Sequence, residues 1–289
     1  MQSTVAVVTM VRDDLFFLKI WLAHYGAQFG RENLYIINHG RGEDVARLAE
    51  GCNIIGIPGE AQKNFDMKRW RLLNNLVNGL RGYYTHVIVG DIDELVVIDP
   101  ADGRSLLEFL QQARKGRVLT PLGLEVIHRI DQEDAPIEGP VLGPRRHVRL
   151  APHYSKPCIV SVGTKIARGG HFTQFDQLFT PDFLYLLHLK FCDFGEYVSA
   201  MNRRNAVTEG MSVQEAAIGR HWFAEARGED RALFDGFAAL EMVEGFDMRP
   251  YRKKMQRSFG PRGETGFYAF DRPDYQLQFV LPERFNGTV

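Results

Sequence analysis

Short apolar runs alternate with longer amphipathic segments through the first third of the chain. The apolar runs are rich in β-branched residues and have the length of buried strands. They lie at residues 4–11, 33–38, 53–58 and 86–95, and helical spacing of apolar residues separates them at 15–30, 45–51 and 63–82. Strands that alternate with helices in short units predict a mostly parallel central sheet with helices on both faces.

The pattern changes after Pro100. Residues 105–116 predict one more helix, and residues 117–190 contain strand-like runs interrupted by Pro and Gly. Residues 194–245 return to helical spacing, and the tail from about 258 is rich in Gly, Pro and aromatic residues. We therefore expect mixed or antiparallel strands to complete the sheet, and a single α/β domain over residues 1–230. The chain after it, residues 231–289, is predicted to form a helical C-terminal extension.

Composition and charge restrict the classes of partner. The 289 residues carry a net charge of −1, so the chain has no overall field that would attract nucleic acid. Its three cysteines are widely spaced and form no CxxC, which favours reduced thiols over a disulfide framework or a zinc site. The first residues lack a signal-peptide pattern, and no window approaches 18 uninterrupted apolar residues. We expect a cytoplasmic protein, and peripheral attachment to the inner face of the membrane is the alternative.

Three carboxylates interrupt the most apolar run of the chain, HVIVGDIDELVVIDP. Asp91, Asp93 and Glu94 lie in its middle, directly after Gly90. Residues i and i+2 of a strand point the same way, so Asp91 and Asp93 project together or both belong to the loop at the strand's carboxyl end. Ionised carboxylates are not buried without partners. Two hard oxygen donors on one side predict a Mg²⁺ or Mn²⁺ site that leaves room for substrate phosphates.

This triplet has other interpretations. It could be an acidic turn in solvent, paired with nearby Arg or Lys. Phosphatases of the haloacid-dehalogenase type also place DxD after an apolar strand, but here the triplet follows a complete earlier α/β unit. The chain contains neither GxxxxGK(S/T) nor a GxGxxG after a strand, which argues against a P-loop or a dinucleotide fingerprint.

The order of these pieces resembles glycosyltransferases of the GT-A fold, similar to family 2 and its relatives with a DxDE element. The matching segments begin with VVTMVRDDLFFLKIWLAHYGAQFGRENLYIINHG and continue with YYTHVIVGDIDELV, YSKPCIV, GGHF and LLHLKF. The resemblance implies a GT-A fold, with a Rossmann-like, mostly parallel sheet. Residues 1–116 would bind the nucleotide sugar, and 117–230 the acceptor. It also implies a UDP- or GDP-linked sugar donor, a divalent metal and inversion at the anomeric carbon.

The same resemblance implies roles for residues of the donor half. Asp91 and Asp93 would hold Mn²⁺ or Mg²⁺ against the donor diphosphate, and Glu94 would contact the sugar or support the metal ligands. The sequence departs from the family after the second strand, where Asn38, His39 or Asp44 would replace the usual acidic residue. The residues that would contact the donor are Thr9, Val11, Arg12, Asn38, Lys68 and Arg71; a solvated face is the alternative for the last two.

The remaining chemistry is predicted from residue type and position. His188 and His171 are candidate metal or phosphate ligands, against the alternative of ordinary core histidines; for His188 the resemblance implies this role, because many GT-A enzymes complete their metal site with a His late in the chain. Lys156 and Lys165 are candidates for stabilising the charge of the leaving diphosphate. An inverting transfer needs a group that takes the acceptor's proton. Asp176 and Glu125 are the best candidates for this base, with Glu94 as a further catalytic carboxylate.

A basic run, RPYRKKMQR at residues 249–257, stands near the C-terminus. A solvated helix face is one interpretation. The other is contact with an anionic membrane surface, or with a lipid-linked or acidic acceptor. The acceptor implied by the resemblance is a growing polysaccharide, a glycolipid or another glycan. A domain that binds a sugar nucleotide or glycan without turnover remains the non-enzymatic alternative.

Overall fold

The computed structural model describes residues 4–59, 64–167, 169–208 and 230–289, and its first half is built on parallel strands. The strands are β1 (Val5–Val11), β2 (Leu34–His39), β3 (Asn53–Ile57) and β4 (His86–Val89). They lie in the order β3-β2-β1-β4, all parallel. The helices between them are α1 (Leu15–Phe29), α2 (Glu43–Leu48) and α3 (Phe65–Leu80). The predicted alternation is confirmed over this half; residue 63, the predicted start of α3, lies outside the described residues.

Helices pack on both faces of this sheet. β1 contributes to both packing layers, since alternate side chains of a strand point to opposite faces. Val5 and Val7 belong to the core that includes α1, whereas Ala6 and Val8 belong to the core that includes α3. All seven residues of β1 are buried. A continuous apolar run is what a strand covered on both faces requires.

The carboxylate run is not one strand, as was predicted for residues 86–95. β4 ends at Val89, and β5 (Glu94–Ile98) begins a second sheet. Residues 90–93 form the turn between them, where the amide of Glu94 donates to the carbonyl of Asp91 at 3.1 Å. Of the two sequence interpretations, the loop at the carboxyl end of a strand is therefore the one observed.

The second sheet combines strands from distant parts of the chain. Its order is β13-β16-β8-β7-β12-β5, with β12 parallel to β7 and antiparallel to β5. The first sheet is extended by β9 and β6, and four short strands form a third sheet in the order β10-β11-β15-β14. The strands not yet bounded are β6 (Val118–Leu119), β7 (Leu122–Ile127), β8 (His147–Leu150), β9 (Ile159–Val160), β10 (Ile166–Ala167), β11 (Phe172–Thr173), β12 (Leu184–Phe191), β13 (Glu241–Met242), β14 (Gly260–Pro261), β15 (Tyr268–Ala269) and β16 (Leu277–Val280). The chain is thus an α/β protein with mixed sheets, but the later strands do not simply complete the first sheet.

The C-terminal part, residues 231–289, is not only helical, so that part of the prediction is wrong. It contains α7 (Arg249–Ser258) and most of α6 (Asp230–Gly236), but also β13 to β16. β16 pairs with β8, and β15 pairs with β11. The Arg284 guanidinium also forms two hydrogen bonds to the buried Asp99 carboxylate, at 2.5 and 2.8 Å. Sequence periodicity missed these strands because each is only two to four residues long.

Two other α-helices lie in the described part of the chain. α4 (Leu106–Gln112) begins with a capping box, in which Ser105 and Glu108 satisfy each other's backbone amides. α5 is Phe194–Thr208, and the rest of the predicted helical region, residues 209–229, lies outside the described residues. In the described chain, no helix combines the length and apolarity needed to span a bilayer.

Candidate active site

The candidate site lies where the order of the parallel strands reverses. The chain runs from β1 to β2 and β3 on one side, whereas β4 returns to the other side of β1. Ligands of open α/β sheets bind beyond the carboxyl ends of the strands at this position. The two strand ends are joined there, since the Thr9 hydroxyl donates to the carbonyl of Gly90 at 3.0 Å. Asp91 follows directly.

Asp91 is held by two cations from different parts of the chain. Arg69 of α3 forms an ion pair with it, and the Lys156 ammonium lies 3.1 Å from its Oδ2. The same ammonium lies 2.5 Å from Oε1 of Glu94. Lys156 and Glu94 are both buried, with 3% exposure each. Lys156 therefore joins the two ends of the carboxylate turn.

Asp93 faces a second group, centred on His188 of β12. Its Oδ2 lies 3.4 Å from Nε2 of His188, and Nδ1 of His188 lies 2.9 Å from Oε1 of Glu125. The other oxygen of Glu125 accepts from the Arg149 guanidinium. β12 lies between β5 and β7 in the sheet, so His188 is opposite both Glu94 and Glu125 in register.

The pKa values of this group follow from its contacts. Burial alone lowers the pKa of His188, but the carboxylates of Asp93 and Glu125 outweigh burial and raise it. Burial alone raises the pKa of Glu125, but the hydrogen bond from His188 and the charge of Arg149 outweigh it and lower the pKa. Glu125 is therefore an ionised carboxylate inside the sheet, stabilised by its two partners.

Tyr154 covers the imidazole of His188. The two rings stack with 3.7 Å between centroids and 15° between planes. Tyr154 ends a single 3₁₀ turn, Pro152–Tyr154, that packs directly on the backbone of Gly123. The amide of Gly123 donates to the Ser155 hydroxyl at 2.7 Å. A side chain at position 123 would occupy the space that this turn fills.

The GGHF segment, residues 169–172, adjoins Lys156, one of the two cations that hold Asp91. Gly170 packs on Trp70 and on the aliphatic chain of Lys156. Burial, and then the charges of Lys156 and Arg272, lower the pKa of His171 to about 2, so this imidazole is neutral. The Arg272 guanidinium, from the C-terminal part, donates to the carbonyl of His171 at 2.9 Å. His171 thus adjoins Lys156, and its role as a ligand stays a prediction.

The residues predicted to contact the nucleoside lie at the ends of β1 and β2. Thr9 and Val11 are buried, and Arg12 is exposed beside them. The Asn38 side chain closes the loop that follows β2, because it accepts from the amide of Gly42 at 3.0 Å and donates to its carbonyl at 2.9 Å. His39 instead stacks on Phe65, and Asp44 pairs with Arg47 at the surface.

Four predicted residues lie at the surface: Lys68, Arg71, Lys165 and Asp176. On α3 the cation that reaches the carboxylates is Arg69, between the two that were predicted. Helical spacing could have indicated Arg69. It lies three residues after Asp66 and four before the buried Leu73, so the three share one helix face. Sequence reasoning also assigned no role to Tyr154, Arg149 and Arg272, although Tyr154 begins the YSKPCIV segment.

The donor atoms around Asp93 suit a divalent cation. A metal-binding imidazole usually donates its other N–H to a carboxylate, as Nδ1 of His188 can donate to Glu125. This leaves Nε2 facing Oδ2 of Asp93 across 3.4 Å, and the imidazole would have to release the proton that Asp93 favours before both atoms could bind one ion. Within the described ranges no three His, Cys, Asp or Glu side chains already form a metal site. To bind the ion, Asp91 would have to release Arg69 or Lys156, its present ion-pair partners.

Comparisons with known proteins add little. No family model matches the chain, and no curated protein sequence matches it. Among solved structures, the chain is similar to the crystal structure of mannose-1-phosphate geranyltransferase from Thermus thermophilus. The TM-score is 0.31 and the identity 13%, over 96% of this chain and 74% of that one. A similarity this low indicates neither a fold nor an activity.

Proposed function

We propose that this protein is a metal-dependent glycosyltransferase of the GT-A type. It would move a sugar, with inversion, from a UDP- or GDP-linked donor to a glycan or glycolipid acceptor. One observation carries the proposal: Asp91, Asp93 and Glu94 meet Arg69, Lys156 and His188 at the switch point of a parallel sheet. Paired carboxylates and buried cations at that position suit a metal ion and a diphosphate.

In this proposal the carboxylates and cations have separate tasks. Asp93, His188 and Asp91 would hold Mn²⁺ or Mg²⁺, which neutralises charge on the leaving diphosphate when it is bound. Lys156 and Arg69 would bind the diphosphate oxygens once the donor draws them from Asp91. Buried cations stabilise such charge strongly, because little water screens them. Thr9, Val11, Arg12 and Asn38 remain the proposed contacts of the nucleoside, and Lys68, Arg71 and Lys165 further contacts of the phosphates.

The acceptor's proton needs a carboxylate or imidazole that is free to take it. Glu125 has His188 and Arg149 as partners, and Glu94 has Lys156. We therefore assign Glu125 to orienting His188 and Glu94 to orienting Lys156. Asp176 has an exposed side chain and stays the proposed base.

The first test is isothermal titration of UDP and GDP into the protein, with Mn²⁺ and with EDTA. Asp93→Asn removes the metal-binding charge with little change in shape. Asp235→Asn, at an exposed position of α6, is the matched control. We expect one nucleotide to bind only with Mn²⁺, and the Asp93→Asn protein to lose this binding while the control keeps it.

Other results would point to other functions. Failure of both nucleotides to bind under every metal condition would contradict the proposal, and phosphatase substrates would then be tested against the same variants. If a nucleotide sugar binds but is neither transferred nor hydrolysed, the protein is a binding module, and the proposed catalysis is wrong.

A further inference from the structure

A basic cleft lies beside the candidate site, between α7 and the chain that follows β15. It encloses about 420 Å³, the size of a small-ligand site. A second cavity of about 450 Å³ continues along α7, and Lys254 and Arg257 line both. The two cavities thus form one groove along the exposed side of the helix, which we call the α7 groove.

The charges of α7 are separated from its buried face. Arg252 and Met255 are buried, whereas Lys253, Lys254 and Arg257 are exposed. Arg249 pairs with Asp247 at 2.8 Å. Over the ranges that the structure describes, no carboxylate lies within 4.0 Å of the three exposed cations. On a chain of net charge −1, this is a local concentration of positive charge, offset in part by the Asp247 carboxylate, which interacts with Lys253 at longer range.

Aromatic rings form the wall under these cations. Tyr251 and Tyr275 meet edge to face, with 5.4 Å between centroids. The Lys254 ammonium lies 5.8 Å from the first ring and 5.3 Å from the second. Asp271 also lines the groove. Asp247 lines the second cavity. An apolar ring face, cationic groups and two carboxylates together suit a sugar that carries both hydroxyls and negative charge.

The groove adjoins the candidate site through two short connections. Pro152 lines it, and the same 3₁₀ turn carries Tyr154 onto His188. Asp271 and Pro273 also line it, and the residue between them, Arg272, donates to the carbonyl of His171. The groove is therefore connected to the candidate site through the turn at Pro152 and through Arg272.

An acidic glycan fits these observations better than a membrane surface does. A bilayer is broad, whereas these cations border a concave groove. Among the described residues, none of the large exposed apolar side chains belongs to α7 or to the groove, so an apolar anchor is missing there. Asp271 can accept hydrogen bonds from sugar hydroxyls.

We propose that the α7 groove binds the acceptor, and that the acceptor is a negatively charged glycan. Its acidic groups would contact Lys254 and Arg257, and a sugar ring would pack against Tyr251 and Tyr275. Calling the ligand an acceptor rests on the proposed glycosyltransferase function. Binding of an acidic glycan to the groove can be tested without a donor.

The test is titration of tetragalacturonate into the full protein at low salt, with maltotetraose as the neutral probe. The variant is Lys254→Glu/Arg257→Glu, and Lys115→Glu, at an exposed position outside the groove, is the control. We expect the acidic probe alone to bind. The double variant should weaken its binding by about tenfold or more, and added salt should weaken it in the native protein. Mn²⁺-dependent nucleotide binding, measured in parallel, should be unchanged in the double variant.

The outcomes separate the two proposals. Nucleotide binding without tetragalacturonate binding, or equal binding of both probes, would overturn the groove assignment and leave the proposed function standing. Groove-dependent tetragalacturonate binding without nucleotide binding would support the groove and overturn the function. In a third outcome, the protein sediments with phosphatidylserine vesicles, loses this binding in the double variant and binds no glycan. That result would identify the ligand of the groove as a membrane surface and overturn the glycan assignment.

Discussion

Glu125→Gln tests whether the sheet orients His188 for a metal ion. Glu125 is fully buried, and its Oε1 lies 2.9 Å from Nδ1 of His188. Glutamine keeps the shape but loses the charge, and its amide can turn a donor toward the imidazole. The imidazole would then present a different tautomer or orientation to Asp93.

The expected loss of metal affinity is about 10- to 100-fold, the usual effect of removing such a carboxylate. This corresponds to about 1.4 to 2.7 kcal/mol of binding free energy. The free energy of unfolding should also fall, by about 1 to 3 kcal/mol, because Arg149 loses its ionised partner. The Arg149 side chain is 25% exposed, so water replaces part of that interaction.

The assay is a Mn²⁺ titration monitored by calorimetry or electron paramagnetic resonance. Urea unfolding of the same preparations measures their stability. Glu133→Gln is the matched control, because the Glu133 carboxylate also lies 2.9 Å from a histidine, His147, and its side chain is only 7% exposed. The control should lose stability and keep its metal affinity. A folded Glu125→Gln protein with native Mn²⁺ affinity would refute the assignment of Glu125 as the group that orients a metal ligand.

Four further changes have defined expectations. Asp176→Asn should lower kcat by about 100-fold or more and leave the KM for the donor unchanged; steady-state kinetics with native-like turnover would exclude it as the base. Lys156→Met leaves the buried Glu94 carboxylate without its cation and should lower the free energy of unfolding by about 3 kcal/mol in urea; a loss below about 1 kcal/mol would contradict this. In Gly123→Ala the new methyl would lie 2.5 Å from Ala151 O and Ser155 N, so we expect a loss of about 3 kcal/mol and displacement of the ring over His188; unchanged unfolding would show that the turn moves freely. Burial, and then the charge of Lys115, lower the pKa of His86 from 6.5 to about 4. The unfolded chain therefore binds the extra proton first, and stability should fall as pH falls from 6.5 to 4; a His86→Gln protein with the same pH profile would contradict this.

The path of the first half of the chain could be predicted because local pattern and tertiary role agree there. β1, β2 and β4 are mostly apolar and buried, β3 is the more exposed edge strand, and the helices between them have clear spacing. The sequence left open whether Asp91 and Asp93 project from a strand or belong to the loop at its carboxyl end, because apolar residues continue on both sides of the carboxylates. The metal, the donor and the base assigned to this site remain predictions.

Contacts between distant residues could not be read in this way. Lys156 is 65 positions from Asp91, and His188 is 63 from Glu125, so no local signal connects either pair. The pairing of β5, β7 and β12 alone brings His188 onto Glu125. The choice of Arg69 over Lys68 and Arg71 depends on which face of α3 packs against the sheet.

The sequence by itself determined the order of strands and helices in the first half, and that Asp91, Asp93 and Glu94 interrupt an apolar run, because both depend on neighbours along the chain. Only the tertiary structure decided which cations and which imidazole meet those carboxylates, and that α7 borders a groove beside them. Those contacts depend on the pairing of short strands far apart in sequence, which no period of two or 3.6 residues encodes.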